Sequence, residues 1–98
     1  MSSTPTARQL HAFWLASDDA AARYKEAAQQ ARVLAERATA LARLVAQHPS
    51  RVDYRAAFRK TLTDSAAAAQ RAQSAHRSWQ ATTFRADSAW TKTQAGAA

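Results

Sequence analysis

Residue types that usually interrupt or cross-link a chain are scarce in this sequence. Among its 98 residues there is no cysteine, which excludes disulfides and thiolate metal sites and leaves the redox compartment open. It contains one glycine and two prolines, whereas Ala, Arg and Gln are abundant. Because Ala, Arg and Gln lose little conformational freedom in a helix, the composition predicts an all-α protein.

Long apolar runs are also missing. No stretch approaches the roughly 18 apolar residues that a transmembrane helix requires. Residues 1–5 lack the charged-then-apolar order of a signal peptide. We therefore expect a soluble, cytoplasmic protein by default, with no membrane partner, and leave open secretion through an uncleaved signal.

The segment Gln47–Asp53 is the one interior place where the helical pattern must stop. Pro49 has no backbone N–H and disfavours the helical conformation of His48, so a preceding helix ends there. Ser50, with Asp53 three residues later, has the spacing of a helix N-cap. The chain is therefore predicted to form two helices joined by a short turn.

The predicted fold is a long antiparallel two-helix hairpin that forms a single domain over residues 1–98. Its expected elements are helix one at about 5–47, a turn at 48–50 and helix two at about 51–95. Thr4 or Thr6 is the predicted first cap, and Gln9 completes a capping box with Thr6. Gly96 is placed to end the second helix.

Small and apolar residues recur every seven positions along the first predicted helix, which is the period of a coiled coil. The two rows are Leu10, Ser17, Tyr24, Ala31, Ala38 and Val45, and Phe13, Ala20, Ala27, Leu34 and Leu41. Residues 17–19, Ser-Asp-Asp, prefer caps to helix interiors and leave open a break after Ala16.

The second predicted helix carries a matching pair of rows. One row is Phe58, Ser65, Ala72, Trp79 and Ala86, and the other lies four residues further on at Leu62, Ala69, His76, Thr83 and Trp90. Residues four apart share a helix face, so both rows are predicted to face the first helix. His76 is interpreted as a half-buried packing residue.

The middle of the predicted seam between the helices is rich in alanine. The facing residues there are Ala27, Ala28, Ala31, Ala35 and Ala38 on one helix, and Ala66, Ala68, Ala69 and Ala72 on the other. Alanine contributes little apolar burial, and two helices cannot enclose all the aromatic surface. We therefore expect association into a helical bundle through Phe13, Trp14, Trp79, Phe84 and Trp90.

Positive charge is concentrated after the turn. The net charge is +7, and the second half holds eight Lys or Arg against three Asp, whereas the first holds six against four Asp or Glu. Arg51, Arg55 and Arg59 are spaced to form one ridge, to which Arg43 and Lys60 add. This set is the predicted contact for phosphates or for an acidic partner.

No pattern of catalytic, metal-binding or cofactor-binding residues is present. The three histidines have no second ligand at helical spacing, and the chain has no Gly-rich phosphate loop and no nucleophile beside a base. We therefore expect no enzymatic activity, no cofactor, no metal and no small-molecule substrate.

Two function classes fit these observations. The first is a non-enzymatic helical interaction or scaffold protein, which self-associates or docks into a larger assembly while its basic second helix contacts an acidic partner. The alternative is an accessory protein that binds DNA or RNA without sequence specificity. No groove-reading module or stacking platform is evident, which favours the first class.

Overall fold

The computed structural model describes residues 4–97 and is an all-α helical hairpin, as predicted. Helix α1 spans Ala7–Gln47 and helix α2 spans Val52–Ala97. Residues 4–97 contain no strand. Each helix boundary lies within two residues of its predicted position.

Contacts within the hairpin group into two compact units, each containing a segment of both helices. The terminal unit is described over residues 4–24 and 74–97, and the turn unit is Lys25–Gln73. Each unit is therefore a pair of helical segments with its own contacts and its own surface.

The predicted capping box begins α1. The backbone N–H of Gln9 donates to Oγ1 of Thr6 at 3.1 Å, and the backbone N–H of Thr6 donates to Oε1 of Gln9 at 2.8 Å. These two bonds satisfy N–H groups that have no partner inside the helix. Of the two candidate caps, Thr6 is therefore the one used.

Helix α1 continues without a break through residues 17–19. Ser17 is buried, and its hydroxyl shares a hydrogen bond of 2.9 Å with the hydroxyl of Thr83 on α2. Asp19 accepts from Arg23 one turn later at 2.5 Å. Both polar side chains thus have hydrogen-bond partners within a continuous helix, so neither has to cap a helix end.

The cap predicted at Ser50 is wrong. The backbone N–H of Arg51 donates to the carbonyl of His48 at 3.0 Å, so Pro49 and Ser50 are the central residues of a tight turn. The Asp53 carboxylate accepts both of its side-chain hydrogen bonds from Arg51. Asp53 does lie in the first turn of α2, where the helix dipole favours negative charge.

Gly96 does not end α2, which runs on to Ala97. A Cβ built on Gly96 would lie 3.2 Å from Oγ1 of Thr4 and 3.6 Å from its Cγ2. The glycine therefore allows close approach of the chain that precedes α1, within the terminal unit, instead of a left-handed helix terminus.

The buried positions are occupied by small side chains. They are Ala20, Ala38, Ala68, Ala86, Ala89, Ser17 and Thr61. Both predicted rows of α1 are buried or half-buried at every position. The alanine-rich character of the seam is therefore confirmed, although three of the alanines assigned to it are exposed: Ala35, Ala66 and Ala69.

On α2 one predicted row is correct, and the other is correct only at His76 and Thr83, which are half-buried and contact α1. The Phe58 row is buried or half-buried throughout. The true companion row lies three residues after it, not four: Thr61, Ala68, Ala75, Thr82 and Ala89. Ala68 is 1% exposed, whereas Leu62 is 46% exposed. Small side chains occupy the seam because they let the helices approach closely, and this turns the larger row toward one edge.

Candidate interaction surfaces

The basic residues predicted near the turn are partly neutralised by their own neighbours. Arg51 makes two hydrogen bonds to Asp53, at 2.9 and 2.7 Å, and its guanidinium carbon lies 4.2 Å from the centroid of the Tyr54 ring. Lys60 pairs with Asp64 at 2.9 Å, one turn further along α2. Two of the five predicted contacts are therefore engaged within the turn unit.

The pairing at the turn perturbs the ionisation of both partners. The hydrogen bond from Arg51 lowers the pKa of Asp53, and the hydrogen bond to Asp53 raises the pKa of Arg51. Both side chains are well exposed, so solvent screens the interaction and its main effect is to orient the two groups.

The other three predicted cations, Arg43, Arg55 and Arg59, are exposed, and none forms an ion pair within residues 4–97. Arg55 and Arg59 lie one turn apart on α2, as their spacing predicts. The available basic surface of the turn unit is therefore smaller than the sequence indicates.

The aromatic residues predicted for docking all belong to the terminal unit, but they differ in exposure. Phe84 is 71% exposed, Trp90 50% and Trp14 39%, whereas Phe13 and Trp79 are half-buried. These three exposed rings offer apolar surface that the terminal unit itself does not cover. Three of the five residues are thus exposed and two are not, and their part in docking stays a prediction.

Trp79 belongs to an aromatic cluster with Tyr24 and His76. Its ring stacks on Tyr24 at a centroid separation of 5.6 Å, and the His76 ring meets Tyr24 edge-on at 4.9 Å. His76 is half-buried, as predicted. The role of Tyr24 was missed, although its place in the α1 heptad row is the signal that indicates it.

The contacts of the terminal unit define one edge of its helical pair. The hydroxyl of Thr83 bonds to that of Ser17, and the His76 ring contacts the Tyr24 ring. A step of seven residues toward the C-terminus of α1 therefore matches a step of seven residues toward the N-terminus of α2. Trp14 and Ala21 each precede one of these α1 residues by three positions, on the exposed side of the row. Trp90 follows Thr83 by seven positions.

We call this edge the tryptophan edge, and its five residues share the absence of a charged group. They are Trp14, Ala21, His76, Thr83 and Trp90. None is Lys, Arg, Asp or Glu, in a chain with a net charge of +7. An open groove on α2 overlaps this edge at His76 and Thr83, and its lining also includes Phe84 and Asp87.

The opposite edge of the terminal unit is basic. A second open groove there has an apolar lining of Pro5, Phe13, Phe84 and Ala89, together with the two cations Arg85 and Lys92. We call it the cationic groove. Phe84 lines both grooves, so its ring lies between them on α2.

Groups suited to chemistry are sparse in the structure. Residues 4–97 contain no group of three His, Asp or Glu side chains that is placed to hold a metal ion. Over the same range, neither helix has a segment long and apolar enough to span a lipid bilayer.

In comparisons with known proteins, no family, no curated protein and no solved structure gave a match to this chain.

Proposed function

We propose that this chain is a non-enzymatic helical interaction protein, which self-associates or docks into a larger helical assembly, and whose basic second helix contacts an acidic partner. The observation that carries the proposal is the tryptophan edge. Trp14 and Trp90 expose 39% and 50% of their surface there, which leaves apolar indole area that the hairpin does not cover.

Charge supports the same conclusion. Molecules that each carry +7 repel one another, so two copies associate most favourably through a surface without charge. The tryptophan edge meets this condition. Two copies related by a two-fold axis can therefore place their tryptophan edges against each other.

We expect sedimentation equilibrium at micromolar concentration to give a dimer or a higher oligomer. Trp90→Lys should give a monomer, because it removes an indole and places a charge on the tryptophan edge. Thr91→Lys is the matched control, since it adds the same charge to an exposed position one residue away and should leave the oligomer intact.

Circular dichroism would verify that both variants keep their helices. A parent chain that is monomeric and melts cooperatively at the same concentration would overturn the self-association, as would a Trp90→Lys variant that still forms the oligomer.

Nonspecific binding of DNA or RNA is the second candidate function, and the exposed, unpaired Arg43, Arg55 and Arg59 favour it within the described residues. Changing these three to Gln should reduce the slope of log K against log salt by up to about 2.7, at about 0.9 per phosphate contact. Absence of duplex binding by the parent at low salt would remove this candidate.

A further inference from the structure

The cationic groove has both an apolar lining and a defined pair of charges. Phe84 is 71% exposed, yet it lines the groove together with the half-buried Phe13 and with Pro5 from the chain before α1. Both segments of the terminal unit thus contribute to it. A groove of this kind accommodates an apolar side chain at its centre.

The charges of the groove lie along one helix. Arg85 and Lys92 are seven residues apart on α2, which is about 10.5 Å along the helix axis. Neither forms an ion pair within the part of the chain that the structure describes. In this they differ from Arg23, Arg51 and Lys60, each of which pairs with an aspartate two to four residues away.

We infer that the cationic groove binds an acidic amphipathic segment of a protein, with an apolar side chain against Phe13 and Phe84 and carboxylates at Arg85 and Lys92. A helix with carboxylates seven residues apart matches the separation of the two cations. Charge complementarity also holds at the scale of the molecule, because a net charge of +7 draws an acidic partner toward it.

A nucleic acid fits this groove less well than a protein segment does. Two cations separated by about 10.5 Å along the helix axis contact about two phosphates, whereas electrostatic binding at physiological salt needs several such contacts. The apolar lining contributes nothing to binding a phosphate backbone. The observations therefore favour the peptide, and a duplex serves as a competing ligand in the test.

The inference rests on the proposed function in one respect, namely that an acidic partner exists, and it does not depend on self-association. It also assigns that partner to the terminal unit, whereas the sequence had placed it at the turn. The reason is that Arg85 and Lys92 border an apolar groove, whereas Arg51 and Lys60 at the turn are already paired.

The probe is a labelled, N-acetylated helical peptide with two Glu seven residues apart and Leu residues between them, followed by fluorescence anisotropy. The double variant Arg85→Gln, Lys92→Gln should weaken its binding by about three- to thirtyfold, which corresponds to two exposed ion pairs. The control Arg71→Gln, Arg77→Gln removes the same charge from exposed positions of the same helix outside the groove and should change binding less than twofold.

The apolar half is tested with Phe84→Ser, because this side chain is largely exposed and its loss should leave the fold intact. We expect Phe84→Ser to weaken binding of the peptide as much as the double variant does. Peptides with Gln in place of Glu, or Ser in place of Leu, should bind the parent chain correspondingly less well.

Three results would overturn the inference: no binding of the peptide by the parent chain at low salt, equal losses in the groove and control double variants, or tighter binding of a DNA duplex that the groove variants abolish. Trp90→Lys should still bind the peptide, because Trp90 lies on the other edge. A failure of self-association is thereby distinguished from a failure of the groove.

Discussion

At the scale of single residues, threonine hydroxyls make many of the side-chain hydrogen bonds of this hairpin. Several Thr side chains return their hydroxyl to the carbonyl one turn back along their own helix, and they are Thr39, Thr63, Thr91 and Thr93. Thr82, on the seam, donates to the carbonyl of Trp79 at 2.9 Å. A threonine can therefore occupy an alanine-rich seam without leaving a polar group unsatisfied.

Two sites in the sequence have the spacing of a capping box, and one of them is used. Thr6 and Gln9 form the capping box because, within residues 4–97, no other hydrogen bond competes for the Thr6 hydroxyl or the Gln9 side-chain carbonyl. At Ser50 the preceding Pro49 draws the chain into a tight turn, and Arg51 takes the Asp53 carboxylate. Sequence spacing cannot reveal this competition, because it depends on where the Arg51 side chain lies.

The first prediction compares these two sites. Thr6→Ala should lower the free energy of unfolding by about 1 kcal/mol, because it removes the cap of α1. Ser50→Ala should change it by less than about 0.5 kcal/mol, as is usual for an exposed residue without a structural bond. Urea denaturation of both variants measures the difference, and equal losses would contradict the assignment of the caps.

The second prediction concerns the pKa of Asp53. The hydrogen bond from Arg51 lowers this pKa below the ordinary value of 3.8, so the pair stabilises the fold above that pH and its contribution disappears as the pH falls through the lowered value. Arg51→Gln should raise the pKa of Asp53. An NMR titration of the Asp53 carboxyl carbon measures it, and an unchanged midpoint would exclude the bond in solution.

At the scale of the helices, the heptad pattern of α2 has two solutions. Combined with the Phe58 row, a second row placed either three or four residues later gives the alternating spacing of a coiled coil. Hydrophobicity favours the row of Leu62 and Trp90, and packing against a seam of small residues selects the row of Ala68 and Ala89. The fold class and the helix bounds were therefore predictable, whereas the face that α2 buries was not.

The third prediction tests which face of α2 is buried. Ala68→Leu should destabilise the chain by about 1 to 3 kcal/mol, because it inserts a large side chain at a position that is 1% exposed. Leu62→Ala should cost no more than about 1 kcal/mol, because nearly half of that side chain is in solvent. Thermal and urea unfolding compare the two variants. A larger loss of stability in Leu62→Ala than in Ala68→Leu would instead support burial of the Leu62 row.

At the scale of the whole molecule, the sequence reveals how much charge there is but not where its cations remain available. The excess of positive charge in the second half was evident, and so was the presence of several large aromatic residues. The pairing of Arg51 and Lys60, and the two distinct edges of the terminal unit, depend on which row of α2 meets α1. That choice separates an edge without charge from one that carries Arg85 and Lys92.

The last prediction uses salt to separate the two surfaces. Raising NaCl from about 50 mM to about 500 mM shortens the screening length from more than 10 Å to a few ångströms. Self-association through the tryptophan edge should hold or strengthen, because the repulsion between two chains of +7 is screened while apolar contacts persist. Binding of the acidic peptide should weaken over the same range, because it depends on attraction to Arg85 and Lys92. Sedimentation and anisotropy on one salt series measure both, and an oligomer that dissociates as salt rises would show that ion pairs, and not the tryptophan edge, hold it together.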